Sequence, residues 1–513
     1  MGQFPALAPV RPGPRSGRGP GAETVTGGGL RWIAAVAVAY TLVQLVMAVP
    51  GTSLGWDETV YVSQVTPGSE PAFFSAPRAR GITFLVAPLT ALTSSVEALR
   101  VHLALLSGAG LFLALAVWRT LLPTRVVALA GGLFAGLWVT VFYGPQVMPN
   151  LWVALGALFT VGCFLRAARD RSDRACLLGA GAGVAFVALM RPTDAFWLVA
   201  PLVVVAVVPR TGRRPVLLVA LAAGAAAGCA PWIVEAYAGY GGLAARLSRA
   251  SEIQGHLGLN LAVDDQIRAL DGRTLCRPCD VAWRRPVTAL WWFVLPLLVA
   301  GGVVIAARLR RDPLARPSVI RPSAVLVPTL AGLALAVPYL LLIGYAAPRF
   351  LLPAYALLAL PAAVCLGRIA RAVRPRALCV TVLALALAGH LTIQYSVLQG
   401  AVDRSRENRK AFDRITAELH RYGVRAPCVI SGVEAPRVAF RTGCASRQAG
   451  GHDGSITRAG LAALADERPV AYVVEGKARP PAFARGWRRL DLPGLPARPD
   501  LSVYVGPATT ATG

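Results

Sequence analysis

Apolar runs of 16–24 residues recur along most of the chain, and each is long enough to cross a bilayer as a helix. There are eleven, at about 31–50, 99–119, 126–143, 149–166, 175–190, 194–209, 215–234, 287–307, 323–344, 350–367 and 376–397. Only 15% of residues are charged, against about 25% in soluble domains. The expected fold class is therefore an all-α polytopic membrane protein.

The arginines set the orientation. Net charge is +26, nearly all of it from Arg, with Lys410 and Lys477 the only lysines. A soluble protein this basic would suggest a nucleic-acid partner. Here the arginines fall in short clusters between apolar runs, so they read as topology signals, with no nucleic acid implied. Placing the N-terminus inside, as Arg11, Arg15, Arg18 and Arg31 suggest, puts an arginine cluster in each cytoplasmic loop, while the short outer loops hold no basic residue at 144–148 and only Arg191 and Arg349 at the other two. Those clusters are Arg119 and Arg125; Arg166, Arg169, Arg171 and Arg174; Arg210, Arg213 and Arg214; Arg308, Arg310, Arg311, Arg316 and Arg321; and Arg368, Arg371, Arg374 and Arg376. An odd number of spans leaves the C-terminus outside. The Arg, Ala, Val and Gly usage matches a high-GC bacterial gene.

Residues 1–29 are rich in Pro, Gly and Arg and lack apolar periodicity, the pattern of a disordered basic cytoplasmic tail. The first run reads as a signal anchor. Within the membrane unit, 30–400, two outer loops stand out, 51–98 and 235–286. In the first, Gly81–Leu92 is apolar but short and broken by Pro88, which suits the membrane interface. The tail, 401–513, reads as a small extracytoplasmic α/β domain. Strands are expected at Cys428–Ile430, Val470–Val474 and Leu501–Val505, and a helix at Phe412–Tyr422. Cys276, Cys279, Cys428 and Cys444 would all face an oxidising compartment, giving two disulfides. For Cys276-Arg277-Pro278-Cys279 a redox or metal motif is the alternative. Cys163, Cys176, Cys229, Cys365 and Cys379 read as packing residues.

The chemistry centres on Gly55-Trp56-Asp57-Glu58-Thr59-Val60-Tyr61, directly after the first span. Charge is costly near hydrocarbon, so an acidic pair at the membrane edge marks a functional site; the structural alternative is a solvated helix end. In a helix Asp57 and Glu58 diverge by about 100°, which excludes a facing acid/base pair. One carboxylate then faces a cavity and the other supports it or holds a metal. Tyr61, four residues on from Asp57, shares its face as a supporting residue. A single carboxylate suits a reaction with one general base and a good leaving group, such as phosphate. Phosphate calls for arginine clamps. Arg78, Arg80, Arg191 and Arg349 lie on the outer side; Arg191 and Arg349 break the positive-inside bias and so need a reason to be there, with snorkelling at helix ends as the alternative.

Asp57-Glu58-Thr59-x-Tyr61 resembles the acidic first-loop motif of the GT-C glycosyltransferases, of the protein O-mannosyltransferase and aminoarabinose transferase types. Tyr143-Gly144-Pro145-x-x-Met148-Pro149-Asn150 is similar to their short outer turn, which often ends in Pro-Glu; Asn150 departs from it. Leu189-Met190-Arg191-Pro192 resembles their Lys-Pro or Arg-Pro turn. Pro348-Arg349-Phe350-Leu351-Leu352-Pro353-Ala354-Tyr355 resembles their arginine-led penultimate span. The resemblance covers roughly 30–400. It implies an inverting transferase that takes a sugar from a polyprenyl-phosphate donor, with Asp57 as base or acceptor-orienting residue. The acceptor would be an envelope glycan, lipid or protein. The Asp57–Glu58 pair could hold Mg²⁺ or Mn²⁺, or act without metal. A transporter or a non-enzymatic envelope protein is the competing class. The transporter reading lacks a repeat, and mid-span ionisable residues are nearly absent, His102 and His390 being the exceptions.

Overall fold

The computed structural model describes residues 29–207, 214–311, 320–492, 494–495 and 500–509. The expected basic tail lies outside the described residues, except for Gly29. So do Arg210, Arg213 and Arg316 of the clusters expected on the cytoplasmic side.

Each apolar run forms helix, and the chain is a multi-pass membrane protein. Among the described residues eight helices are long and apolar enough to cross a membrane. The other three expected spans are shorter. Arg174–Met190 and Pro192–Val207 are single helices, while the 126–143 run is broken into Thr124–Ala135 and Trp138–Tyr143. The break has a partner in the last span: the Trp138 backbone N–H, freed at the new helix start, donates to the buried Gln394 side chain at 2.8 Å. Gly81–Thr90 is a ten-residue helix, about 15 Å long and too short to span. A Cβ at Gly81 would sit 2.7 Å from the Leu189 carbonyl, so only glycine allows this helix to dock on the Arg174–Met190 helix.

Two helices form the centre of the bundle. Pro149–Arg169 is buried along most of its length, and Leu352–Ala372 is buried from Leu352 to Cys365. Around them pack Trp118, Trp138, Phe134, Phe164 and Tyr339, all fully buried. The N-terminal ends of both central helices open toward the same end of the bundle, where the C-terminal unit sits. Each starts with proline in its first turn, where the missing N–H costs nothing.

The last span does not end at the membrane edge. Arg376–Arg421 is one helix of 46 residues, about 70 Å long. Its first half presents Leu378, Val380, Val382 and Leu385 outward. Its last turns bury Ala411, Phe412, Ile415 and Leu419 in the C-terminal core. The helix expected at 412–422 is thus the end of this one, because no proline separates the apolar half from the amphipathic half and the helix runs through Gly400.

The C-terminal unit is built on a five-stranded mixed sheet: β1 (Val429–Gly432), β2 (Ala445–Ser446), β3 (Val470–Glu475), β4 (Arg488–Leu492) and β5 (Leu501–Val505), in the order β2-β1-β3-β5-β4. The first three are parallel and the β3–β5 and β5–β4 pairs antiparallel. The helices Ala435–Thr442 and Arg458–Glu467 make the parallel crossovers. Cys428 is joined to Cys444 beside β1 and β2, and Cys276 to Cys279 in the second loop. The unit rests on the first loop through Arg447–Glu70 and Arg441–Ser53 contacts.

Candidate active site

Gly55 begins the Trp56–Ser63 helix, and the two acids fall in its first turn, where carboxylates complement the helix dipole. They then part. Glu58 turns into the protein. One of its oxygens accepts from the Gly55 N–H at 2.7 Å and from Arg100 Nη2 at 2.9 Å. The other accepts from the Val147 N–H at 2.7 Å and from Arg100 Nη1. Arg100 completes its set on the carbonyls of Ser53 and Pro145 at 2.7 and 2.9 Å. Glu58 and Arg100 expose only 3% and 1% of their side chains. The pair bolts the first loop, the Val96–Thr120 helix and the 144–148 turn together. Glu58, expected among the catalytic residues, does not line the cavity that Asp57 faces, and its oxygens are already filled by N–H groups.

Asp57 faces a cavity of about 250 Å³. Arg78 Nη2 lies 2.6 Å from its Oδ1, and Arg349 Nη2 lies 3.1 Å from its Oδ2. Arg78 is steadied by the Ser75 hydroxyl at 2.8 Å and lies over the Tyr61 ring. Arg349 donates to the Thr274 carbonyl at 2.8 Å and to the Tyr143 hydroxyl at 3.4 Å. Burial alone would push the Asp57 carboxyl up, but the Arg78 and Arg349 guanidiniums outweigh it and hold the carboxyl below the usual range. With an arginine on each oxygen, Asp57 is a fixed negative charge and a weak proton acceptor.

The other expected clamps divide. Arg191 reaches the cavity wall, stacked over Tyr339 and Phe350 and tied to the buried Asp194 at 3.2 Å. Arg80 does not line the cavity: it pairs with Glu235 and lies over the Phe74 ring, 4.4 Å from its centroid. That pairing joins the 76–81 turn to the Pro215–Gly239 helix, which corrects the expectation of a phosphate contact. Arg246, fully buried, holds the same turn through the carbonyls of Ala76 and Arg78 at 3.1 and 3.0 Å.

Sequence reasoning missed several wall residues. Arg277 joins the wall, stacked on Tyr345 at 4.6 Å. Its only sequence signal was its place inside the Cys276–Cys279 pair. Asn150 lies in the first turn of the central Pro149–Arg169 helix, 1% exposed, with both amide atoms unpartnered among the described residues. His452 and Asp453 come from the C-terminal unit, some 400 positions after Asp57, and nothing in the sequence linked them to the first loop.

The cavity thus holds four guanidiniums against two carboxylates, and the N-termini of both central helices add positive potential. Its lining is net cationic. The residues do not fit a divalent cation on Asp57 and Glu58: the two side chains diverge, and arginines occupy both. No cluster of three or more His, Cys, Asp or Glu suited to a metal occurs among the described residues.

No family model and no curated protein matches the chain. Solved structures do. ArnT from Cupriavidus metallidurans bound to undecaprenyl phosphate superposes with a TM-score of 0.64 at 12% identity, covering 93% of this chain and 98% of that one. Its apo state gives 0.61 at 14% identity, with the same coverage. The Archaeoglobus fulgidus oligosaccharyltransferase in complex with Zn and sulfate gives 0.52 at 13% identity, covering 87% of this chain and 68% of that one. These neighbours belong to the GT-C superfamily, and this chain has their fold.

Proposed function

We propose, from the GT-C fold as premise, that this chain is an inverting glycosyltransferase. It would move a sugar from a polyprenyl-phosphate donor to an acceptor on the extracytoplasmic side, in the cell envelope. The observation that carries the reading is the Asp57 carboxylate held between Arg78 and Arg349 in a cavity where guanidiniums outnumber carboxylates. The ArnT neighbour was solved with undecaprenyl phosphate, a ligand of the same chemical class.

The mechanism follows from charge. Arg78, Arg191 and Arg349 would hold the donor phosphate with planar, charge-assisted hydrogen bonds. The leaving phosphate gains charge as the sugar–oxygen bond breaks, so preorganised guanidiniums favour the transition state over the ground state. Asp57 would keep its negative charge beside the anomeric carbon, where positive charge develops, and orient the acceptor. The cavity is smaller than the roughly 300–1,000 Å³ of drug-sized pockets and suits a headgroup. A separate apolar cavity of about 440 Å³, lined by Trp291, Leu295, Tyr355 and Leu387 among others, would suit the lipid tail.

The test is transfer from labelled polyprenyl-phosphate hexoses and pentoses in membranes of the cells that make the protein, which carry the acceptor. Asp57→Asn is expected to lose about 10²–10³ in rate while still binding the donor. Full transfer by Asp57→Asn would contradict the reading and favour a non-enzymatic envelope role.

A further inference from the structure

We infer that Asp453, from the C-terminal unit, is the general base that takes the proton from the acceptor hydroxyl. This deepens the transferase reading and rests on it. Asp57 cannot easily fill that role, since each oxygen carries an arginine. Among the described residues Asp453 is the cavity carboxylate that no salt bridge holds.

The loop that carries Asp453 is built rather than loose. Gln448 closes it on one side: its amide exchanges hydrogen bonds with the Gly432 N–H and carbonyl at 3.1 and 2.9 Å. On the other side the Gln448 N–H donates to the Ser455 hydroxyl at 3.0 Å, and the Ser455 N–H donates to the Gln448 carbonyl at 2.9 Å. Gly432 adopts φ +88, and a Cβ there would meet the Val473 carbonyl at 2.1 Å. The loop tip is tied to the second outer loop, where Arg249 donates to the His452 carbonyl at 3.4 Å. The Arg447–Glu70 pair at 3.3 Å fastens its root to the first loop. Three segments distant in sequence thus converge to set one carboxylate on the wall opposite the membrane bundle, the side from which an acceptor must enter.

The charged groups acting on Asp453 are Arg78, Asp57, His452 and Arg249. Burial pushes its carboxyl above the usual range, Asp57 adds to the rise, and Arg78 opposes it. A raised value makes a better proton acceptor near neutral pH. In the step itself, the acceptor oxygen forms a bond to the anomeric carbon and its proton passes to Asp453. The bond from that carbon to the phosphate oxygen breaks, and its electron pair leaves with polyprenyl phosphate on Arg78, Arg191 and Arg349. The sugar configuration inverts, and Asp453 later returns its proton to water.

The experiment compares full-length wild type, Asp453→Asn and Asp453→Glu for two quantities. One is transfer in acceptor-bearing membranes; the other is binding of bare polyprenyl phosphate by purified protein. Asp453→Asn should lose about 10²-fold or more in transfer, bind polyprenyl phosphate as well as wild type or tighter, and melt like wild type. Asp453→Glu should recover part of the rate. In wild type the rate should fall on acidification as Asp453 takes up a proton, starting above the ordinary carboxylate range; this limb should vanish in Asp453→Asn. Undiminished transfer by Asp453→Asn, or a loss matched by weaker lipid binding with an unchanged pH profile, would overturn the assignment while leaving the transferase standing. Wild type that neither binds polyprenyl phosphate nor transfers sugar would sink both.

Discussion

Asp57 and Glu58 are adjacent, yet they have opposite fates. One turns to the cavity and the other to Arg100, as the helical rotation between neighbours requires. Their variants should therefore fail differently. Arg100→Leu strands a buried carboxylate and should cost about 3–5 kcal/mol, read as a lower melting temperature and poorer yield. Asp57→Asn, at a partly exposed site, should melt close to wild type and lose transfer. Equal melting temperatures for Arg100→Leu and wild type would contradict the anchoring role. The pH dependence of the Asp57 pairs follows from sign. The folded carboxyl is held below its unfolded value, so its stabilisation is complete above the ordinary carboxylate range and is lost as pH falls through the folded value. Donor binding should thus be insensitive to Asp57 titration at neutral pH.

At the scale of elements, Arg349 depends on the second loop. Its Nη1 donates to Thr274, and the neighbouring Cys276 pairs with Ala346 by two backbone hydrogen bonds of 2.8 and 3.2 Å. Unreduced protein should yield peptides linked Cys276–Cys279 and Cys428–Cys444 by mass spectrometry. The double variant Cys276→Ser/Cys279→Ser should weaken lipid-phosphate binding by loosening this support; unchanged affinity would show that the loop holds Arg349 without it. The spans were legible because a bilayer demands long apolar runs, and the Arg349 and Arg191 positions were legible because they broke the charge rule. Arg80 was misread because sequence places it at the membrane edge but not on which side of its turn it leaves. The length of the last helix was hidden by a shift from apolar to amphipathic pattern that looks like a domain boundary. Asp453, an acid in a polar loop, carries no local signal, and Asn150 shows only as the neutral amide where the resembled turn has Pro-Glu. Only tertiary packing brings them to Asp57.

On the scale of the whole molecule, bundle and C-terminal unit share one cavity, so the account requires both at the same membrane face. Reporter fusions at Arg171 and Arg311 should report the cytoplasm, and those at Gly258 and Gly454 the outside. An inside signal at Gly454 would separate Asp453 from its proposed acceptor. If the guanidiniums around Asp57 hold a lipid phosphate, direct binding detects it with no knowledge of sugar or acceptor. Purified protein in lipid nanodiscs should bind bare polyprenyl phosphate saturably. Arg78→Ala and Arg349→Ala should each weaken that binding about 10- to 100-fold, the worth of charge-assisted hydrogen bonds. Wild-type affinity in both variants would contradict the account.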